Sequence, residues 1–235
     1  MPANLFLIPT LLGESIPRSV LPQEVCTLCA GIRYFIVEDL RTARRFLKKI
    51  NKEIAIDNLH FFLLNKHTKQ EEYEEFLQPL TNGQDMAILS EVGVPCIADP
   101  GAAIVQIAHR KGIKVRPMVG PSSFLLAMAA SGLNGQNFAF NGYLPIEKTA
   151  RNKAIKKLEQ KIRKENQSQI IMDTPFRNNQ LLNALIKNCK EDLYLCIAAN
   201  ITLDTEYIKT RTIKEWKKNL PDLHKKPTVF ILGLL

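Results

Sequence analysis

Residues 89–101, reading LSEVGVPCIADPG, hold the side chains best placed for chemistry. An apolar run over 86–90 predicts a strand that ends here. Gly93, Pro95, Pro100 and Gly101 then keep the chain from turning directly into its next helix. In open α/β sheets, ligands lie beyond the carboxyl ends of strands. A glycine there lets backbone amides approach a ligand that a Cβ would hold away. Asp99 is placed to cap the following helix, so a plain strand–helix connection and a ligand loop are both open on spacing alone. Gly120-Pro-Ser-Ser123 repeats the logic: a glycine, two hydroxyls and a fresh helix N-terminus suit a polar or anionic group. Asn141-Gly-Tyr-Leu-Pro145 closes a further strand, with backbone exposed at Gly142. Asp173-Thr-Pro-Phe-Arg177 ends another with a carboxylate, a hydroxyl and a guanidinium.

The elements that must position these loops alternate between short apolar runs and longer helical patterns, the signature of α/β construction. Strands are predicted at 5–8, 34–37, 59–64, 86–90, 113–116, 138–143, 168–173, 193–199 and 228–232. Helices are predicted at 22–30, 41–50, 70–80, 102–111, from Ser122 or Ser123 to 131, and at 147–164, 178–187 and 213–218. The Pro-Met-Val-Gly-Pro stretch at 117–121 interrupts regular structure. It sets expected domains at 1–117 and 118–235.

Several common sites are absent. No GxGxxG follows a strand, and no GxxxxGK[ST], HExxH or GxSxG occurs. The four histidines form no cluster, and no metal site is expected. Cys26 and Cys29 have CxxC spacing without a second pair, and beside Val25 and Leu28 they read as one buried helix face. Five scattered cysteines do not make a disulfide framework. With no export signal and no apolar run of about 18 residues, a cytoplasmic protein without a membrane span is expected. The net charge of +9 suits a polyanionic partner, although a solvated lysine-rich surface gives the same number.

SEVGVPCIADPG, then VGPSSFLLAMAASGL, then FAFNGYLP resemble the tetrapyrrole methylase family of class III S-adenosylmethionine-dependent methyltransferases. Ile8-Pro-Thr10 with Gly13, Glu38-Asp39 with Arg41, and Thr174 with Arg177 are similar to landmarks of its branch of bacterial ribosomal RNA small-subunit 2′-O-ribose methyltransferases. The resemblance runs over residues 5–232. It implies two α/β domains with mixed sheets, S-adenosylmethionine held in a cleft between them, and a homodimer. By position it assigns the cofactor to Pro9, Glu91, Val92, Gly93, Ile97, Asp99, Ser122, Ser123, Asn141, Gly142, Tyr143, Thr174, Ala199 and Asn200. It puts Asp39 and Arg41 toward the substrate side. A ribose hydroxyl needs a nearby base or hydrogen-bond acceptor, and of the carboxylates Glu38, Asp39 and Asp99 the expected substrate-side acceptor is Asp39, with Arg41 as phosphate or oxyanion partner. A surface ion pair capping the next helix explains Glu38, Asp39 and Arg41 equally well.

The chain departs from the branch at Glu91, where Asp is usual, and at Leu40, which interrupts Glu-Asp-Thr-Arg. Ribosomal RNA is the substrate expected. A tetrapyrrole or other small molecule, and a non-catalytic cofactor-binding module, are the competing readings. Basic clusters at 148–164 and 209–226 serve an RNA track if they border the active opening.

Overall fold

The computed structural model describes residues 3–65, 67–69 and 71–235. The chain divides into two units, Met1–Ser122 and Ser123–Leu235. Each has a five-stranded sheet with its own core.

The first unit runs β1 (Asn4–Ile8), α1 (Pro17–Val20), α2 (Gln23–Gly31), β2 (Tyr34–Val37), α3 (Leu40–Ile50), β3 (His60–Leu63), α4 (Glu72–Phe76), α5 (Gln78–Thr81), β4 (Met86–Leu89), α6 (Gly101–Arg110) and β5 (Lys114–Pro117). Its strand order is β3-β2-β4-β1-β5, and every pairing is parallel. The pleat sorts the apolar residues between two faces. Phe6, Ile8, Phe35, Val37, Ala87 and Leu89 pack with Val25, Cys29, Phe46 and Leu47 of α2 and α3. Leu5, Ile36, Met86 and Ile88 pack instead with Phe76, Leu80, Ile104 and Ala108 of the later helices. Cys26 and Cys29 are both buried on the inner face of α2, and burial pushes the Cys29 thiol up to about 12.

The single helix expected over 70–80 is instead two short ones. Pro79 falls in the first turn of α5. It has no N–H to continue the α4 ladder, and its ring crowds the carbonyl four residues back. Gln70, the expected first residue, lies outside the described residues.

The second unit runs α7 (Ser123–Ser131), β6 (Phe138–Tyr143), α8 (Lys148–Glu165), β7 (Ser168–Met172), α9 (Asn178–Asn188), β8 (Tyr194–Ala199), β9 (Tyr207–Thr212), α10 (Ile213–Trp216) and β10 (Thr228–Gly233). The order is β6-β7-β10-β8-β9, with β6 and β7 parallel and the other pairings antiparallel. Ile171, Leu195, Ile197, Phe230 and Leu232 pack against Ile155, Leu158 and Ile162 of α8, Leu181 and Leu185 of α9, and Trp216. The Trp216 indole N–H donates to the Leu195 carbonyl at 2.8 Å, so its burial leaves no polar group unpaired. Among the described residues no helix is long and apolar enough to cross a membrane.

Candidate active site

A parallel sheet brings the carboxyl ends of all its strands to one edge. In the first unit the chain leaves β1 and β2 toward one face of the sheet and leaves β4 toward the other, so a crevice opens at that edge. Hydrogen bonds lace its rim together. The Thr10 amide donates to the Gly93 carbonyl at 2.9 Å, and the buried Ser90 hydroxyl donates to the same carbonyl at 2.7 Å. Pro9 and Thr10 are therefore fixed against the 90–101 loop.

Gly93 has φ of +76°, and a Cβ there would lie 3.1 Å from Leu12 and 3.3 Å from the Pro121 carbonyl. Its lack of a side chain lets three loops of this edge close on one another. On its Cβ side Gly93 therefore meets the protein itself. Val92 and Ile97 of the same loop are exposed. Cys96 and Ala98 hold left-handed φ of 68° and 62°, uncommon for residues with a side chain. Asp99 ties this stretch down. It accepts the Cys96 amide at 2.7 Å and the amide of Gly101, the first residue of α6, at 2.8 Å.

Three carboxylates meet here. Glu38, at the end of β2, is half-buried, and Asp99 and Glu91 stand close enough to disfavour its charge. Burial first, then Asp99, then Glu91 push the Glu38 carboxyl up to about 6, against a small opposing effect of the Glu91 amide. Burial also raises Asp99, partly offset by its two amide donors. Glu38, Leu64, Leu89, Asp99 and Gly101 line a small crevice at this place.

Asp39 is its opposite. Its Oδ1 accepts the Thr42 amide and the Thr42 hydroxyl, each at 2.7 Å, which makes it the N-cap of α3. Those bonds hold its carboxyl below the usual range. Arg41 is exposed in the first turn of the same helix. The Ser122 hydroxyl, just before α7, is buried and has no hydrogen-bond partner among the described residues. Ser123 begins α7.

In the second unit β6, β7 and β8 run the same way, so their carboxyl ends also share one edge. Across the β6–β7 pairing Tyr143 stands opposite Met172, the residue just before Asp173 and Thr174. The register slips between Phe140 and Tyr143, and Gly142 takes φ of +60° with nothing within 4 Å of the position a Cβ would fill. The backbone is open to approach at this point. The Asn141 amide group donates to Gln169 and to the carbonyls of Ala139 and Ile170, which fixes the bulge. Asp173 is buried and holds Arg177 through Nε at 2.8 Å, so that guanidinium is committed within the chain. Its Oδ1 also accepts the Thr174 amide at 2.7 Å. Ala199 ends β8, and Asn200 follows with φ of 53°.

Two residues gain meaning only from the structure. Glu38 reads in the sequence as one carboxylate among several. Asn178 looks like an ordinary helix start, yet it is fully buried, donates to the Lys226 carbonyl at 2.6 Å and leaves its own Oδ1 without a partner among the described residues. No local signal marks Asn178.

A family model described as Tetrapyrrole (Corrin/Porphyrin) Methylases matches residues 25–217. The chain is 28% identical over 232 residues to Ribosomal RNA small subunit methyltransferase I of Buchnera aphidicola subsp. Schizaphis graminum, covering 97% of this chain and 77% of that protein. It is 27% identical over 232 residues to the protein of the same name from Escherichia coli O157:H7, with the same coverage of 97% and 77%. Among solved structures, the methyltransferase CobJ aligns over 99% of this chain and 94% of its own, with a TM-score of 0.65 at 16% identity. That likeness concerns the fold.

Proposed function

The chain belongs to the tetrapyrrole (corrin/porphyrin) methylase family and is a methyltransferase, and we propose that it moves a methyl group from S-adenosylmethionine to a ribose 2′-hydroxyl of small-subunit ribosomal RNA. The observation that carries the reading is the Glu38 carboxyl, raised to about 6 at the strand-end edge where ligands gather. The relatives named for ribosomal RNA, aligned along 97% of the chain, support the substrate class.

The residues present suit the cofactor. The unpartnered, buried Ser122 hydroxyl and the open backbone at Gly142 are polar groups waiting for an acceptor or donor. Within the first unit Pro9, Glu91, Val92, Gly93, Ile97, Asp99 and Ser122 would hold it; Ser123, Asn141, Tyr143, Thr174, Ala199 and Asn200 are the contacts that the resemblance assigns in the second unit, taken by itself. Bound there, the cofactor supplies an electrophilic methyl group on sulfonium sulfur.

The protein's part is to position the acceptor and to manage one proton. A ribose hydroxyl is a weak nucleophile, so its proton must pass to a nearby base as the new carbon–oxygen bond forms. A base titrating near the working pH does this better than one held far below it. Glu38 meets that condition. Asp39, the acceptor expected from the sequence, keeps its Oδ1 on Thr42 and serves the helix that carries Arg41. Arg41 then offers its guanidinium to a phosphate of the substrate. A cytoplasmic homodimer belongs to the same reading, and α7 leaves Leu125 and Leu126 exposed for such a partner.

The test is incubation with methyl-labelled cofactor and small ribosomal subunits that lack the modification. Label in an alkali-resistant dinucleotide supports ribose methylation. Label on a base, or on a tetrapyrrole offered in parallel, refutes it. Tight cofactor binding with no label in any acceptor assigns the chain to the non-catalytic binding modules.

A further inference from the structure

We infer that the outer face of α3 is a track for the phosphate backbone of the RNA strand, an assignment that rests on the RNA reading above. The helix carries Arg41, Arg44, Arg45, Lys48 and Lys49, all exposed, and its eleven residues include no acid. At 3.6 residues per turn these five cations fall on the face opposite the buried Ala43, Phe46 and Leu47. Arg41, Arg45 and Lys48 form one stripe about 10 Å long.

Helix stability does not account for this arrangement. Lys48 and Lys49 sit in the last turn, where the helix dipole favours cations, and Lys49 pairs with Glu14 at 2.8 Å. Arg41 and Arg44 sit in the first half, where the dipole opposes them. Arg41–Arg45, Arg44–Lys48 and Arg45–Lys49 place like charges four residues apart, which is unfavourable in an isolated helix. Arg44 lies over the Phe61 ring, 5.5 Å from its centroid, and Lys48 donates to the Lys52 carbonyl at 2.8 Å. Arg41 and Arg45 make no ion pair among the described residues. A row of five cations that meets a single ion-pair partner among the described residues, Glu14 on Lys49, is what a polyanion neutralises.

Location and chemistry favour α3 over the other basic helix. Asp39 caps α3 directly after Glu38, so the first turn begins at the catalytic edge. Its free cations include guanidinium groups, whose planar fork matches phosphate in a bidentate way. On α8, Arg163 is spent on Glu159 and Asp192, which leaves mainly lysines on the exposed face. The apolar side of α3 is already packed on the sheet, so the helix has no face to insert into a bilayer. RNA therefore fits better than an anionic membrane.

The test compares Arg45→Gln/Lys48→Gln with Lys153→Gln/Lys157→Gln in the full chain. The probe is a fluorescent fragment of small-subunit ribosomal RNA, titrated over a range of salt, and S-adenosylhomocysteine binding by calorimetry monitors the cofactor site. The α3 variant is expected to flatten the log-affinity against log-salt slope by about 1.4–1.8, the loss of two phosphate contacts. It should weaken binding about tenfold or more near 0.1 M salt while S-adenosylhomocysteine affinity stays unchanged. The α8 variant should leave the slope within about 0.5 of the parent. Arg45→Lys should retain the slope and lose affinity, because it keeps the charge and loses the fork. A steep parent slope that the α3 variant leaves intact overturns the track, as does a larger effect from the α8 pair. Parent binding to phosphatidylserine vesicles that the α3 variant abolishes, with RNA affinity unmoved, gives the face to a membrane. A parent that binds S-adenosylhomocysteine but no RNA refutes the substrate reading itself, and the track with it.

Discussion

Replacing Glu38 with glutamine should make the protein more stable and far less active. The carboxyl is raised from its ordinary 4.5 to about 6, first by burial and then by Asp99 and Glu91. Holding such a group ionised in the folded state costs at most about 2 kcal/mol, and solvent reaching the half-exposed side chain reduces this to about 1 kcal/mol. Because the folded-state value lies above the unfolded one, the native protein binds the proton more tightly. No cost exists below about pH 4.5, where the carboxyl is protonated in both states. The cost grows as pH rises from 4.5 to 6 and is complete above that window. Glu38→Gln should therefore gain about 1 kcal/mol over the parent at neutral pH, or about 3 °C in melting temperature, and nothing near pH 4. In the labelled-methyl assay its kcat should fall about 100-fold or more with little change in KM for RNA. The parent rate should climb about tenfold per pH unit below pH 6 and level off above about pH 7. A variant that melts with the parent at every pH and keeps kcat within about threefold would remove Glu38 from the mechanism.

Ser122→Ala should leave urea unfolding unchanged, since its hydroxyl has no hydrogen-bond partner among the described residues. The same change should weaken S-adenosylhomocysteine binding about five- to tenfold in calorimetry, the value of one hydrogen bond. Gly142→Val places a branched side chain at φ of +60°, which should cost about 2 kcal/mol in a melt and close the open backbone to the cofactor. Trp216→Phe removes the donor to the buried Leu195 carbonyl, and chemical denaturation should show a loss of about 1–3 kcal/mol.

Much of the architecture is legible in the residues because apolar runs and helical periods alternate. Phe138–Tyr143 and Leu40–Ile50 stand where the pattern puts them, the latter within a residue. β9 was not expected. Tyr207–Thr212 reads YIKTRT, with two cations in six residues, because it pairs on one side only and sits at the sheet edge. The break at Leu77 needed the weight of Pro79 against an otherwise helical charge pattern. At the site, Asp39 shows its cap role locally, since Thr42 lies three residues on. The proton affinity of Glu38 has no local sign. It comes first from burial and then from Asp99 and Glu91, more than fifty residues away in the chain and brought close by the β2–β4 pairing. Gly93 shows its type locally, but the neighbours that require it, Leu12 and Pro121, are set by the fold.

The position of β10 bears on how the protein is made. This segment, Thr228–Gly233, lies in the middle of the second sheet and joins β7 to β8. During synthesis the first unit has all five of its strands once residue 117 has emerged. The second unit must wait, with β6–β7 and β8–β9 as two separate ribbons, until its final strand arrives to bridge them. Nascent chains stalled or truncated before residue 228 would carry one finished unit and one with unsatisfied strand edges, the kind of surface that chaperones and proteases recognise.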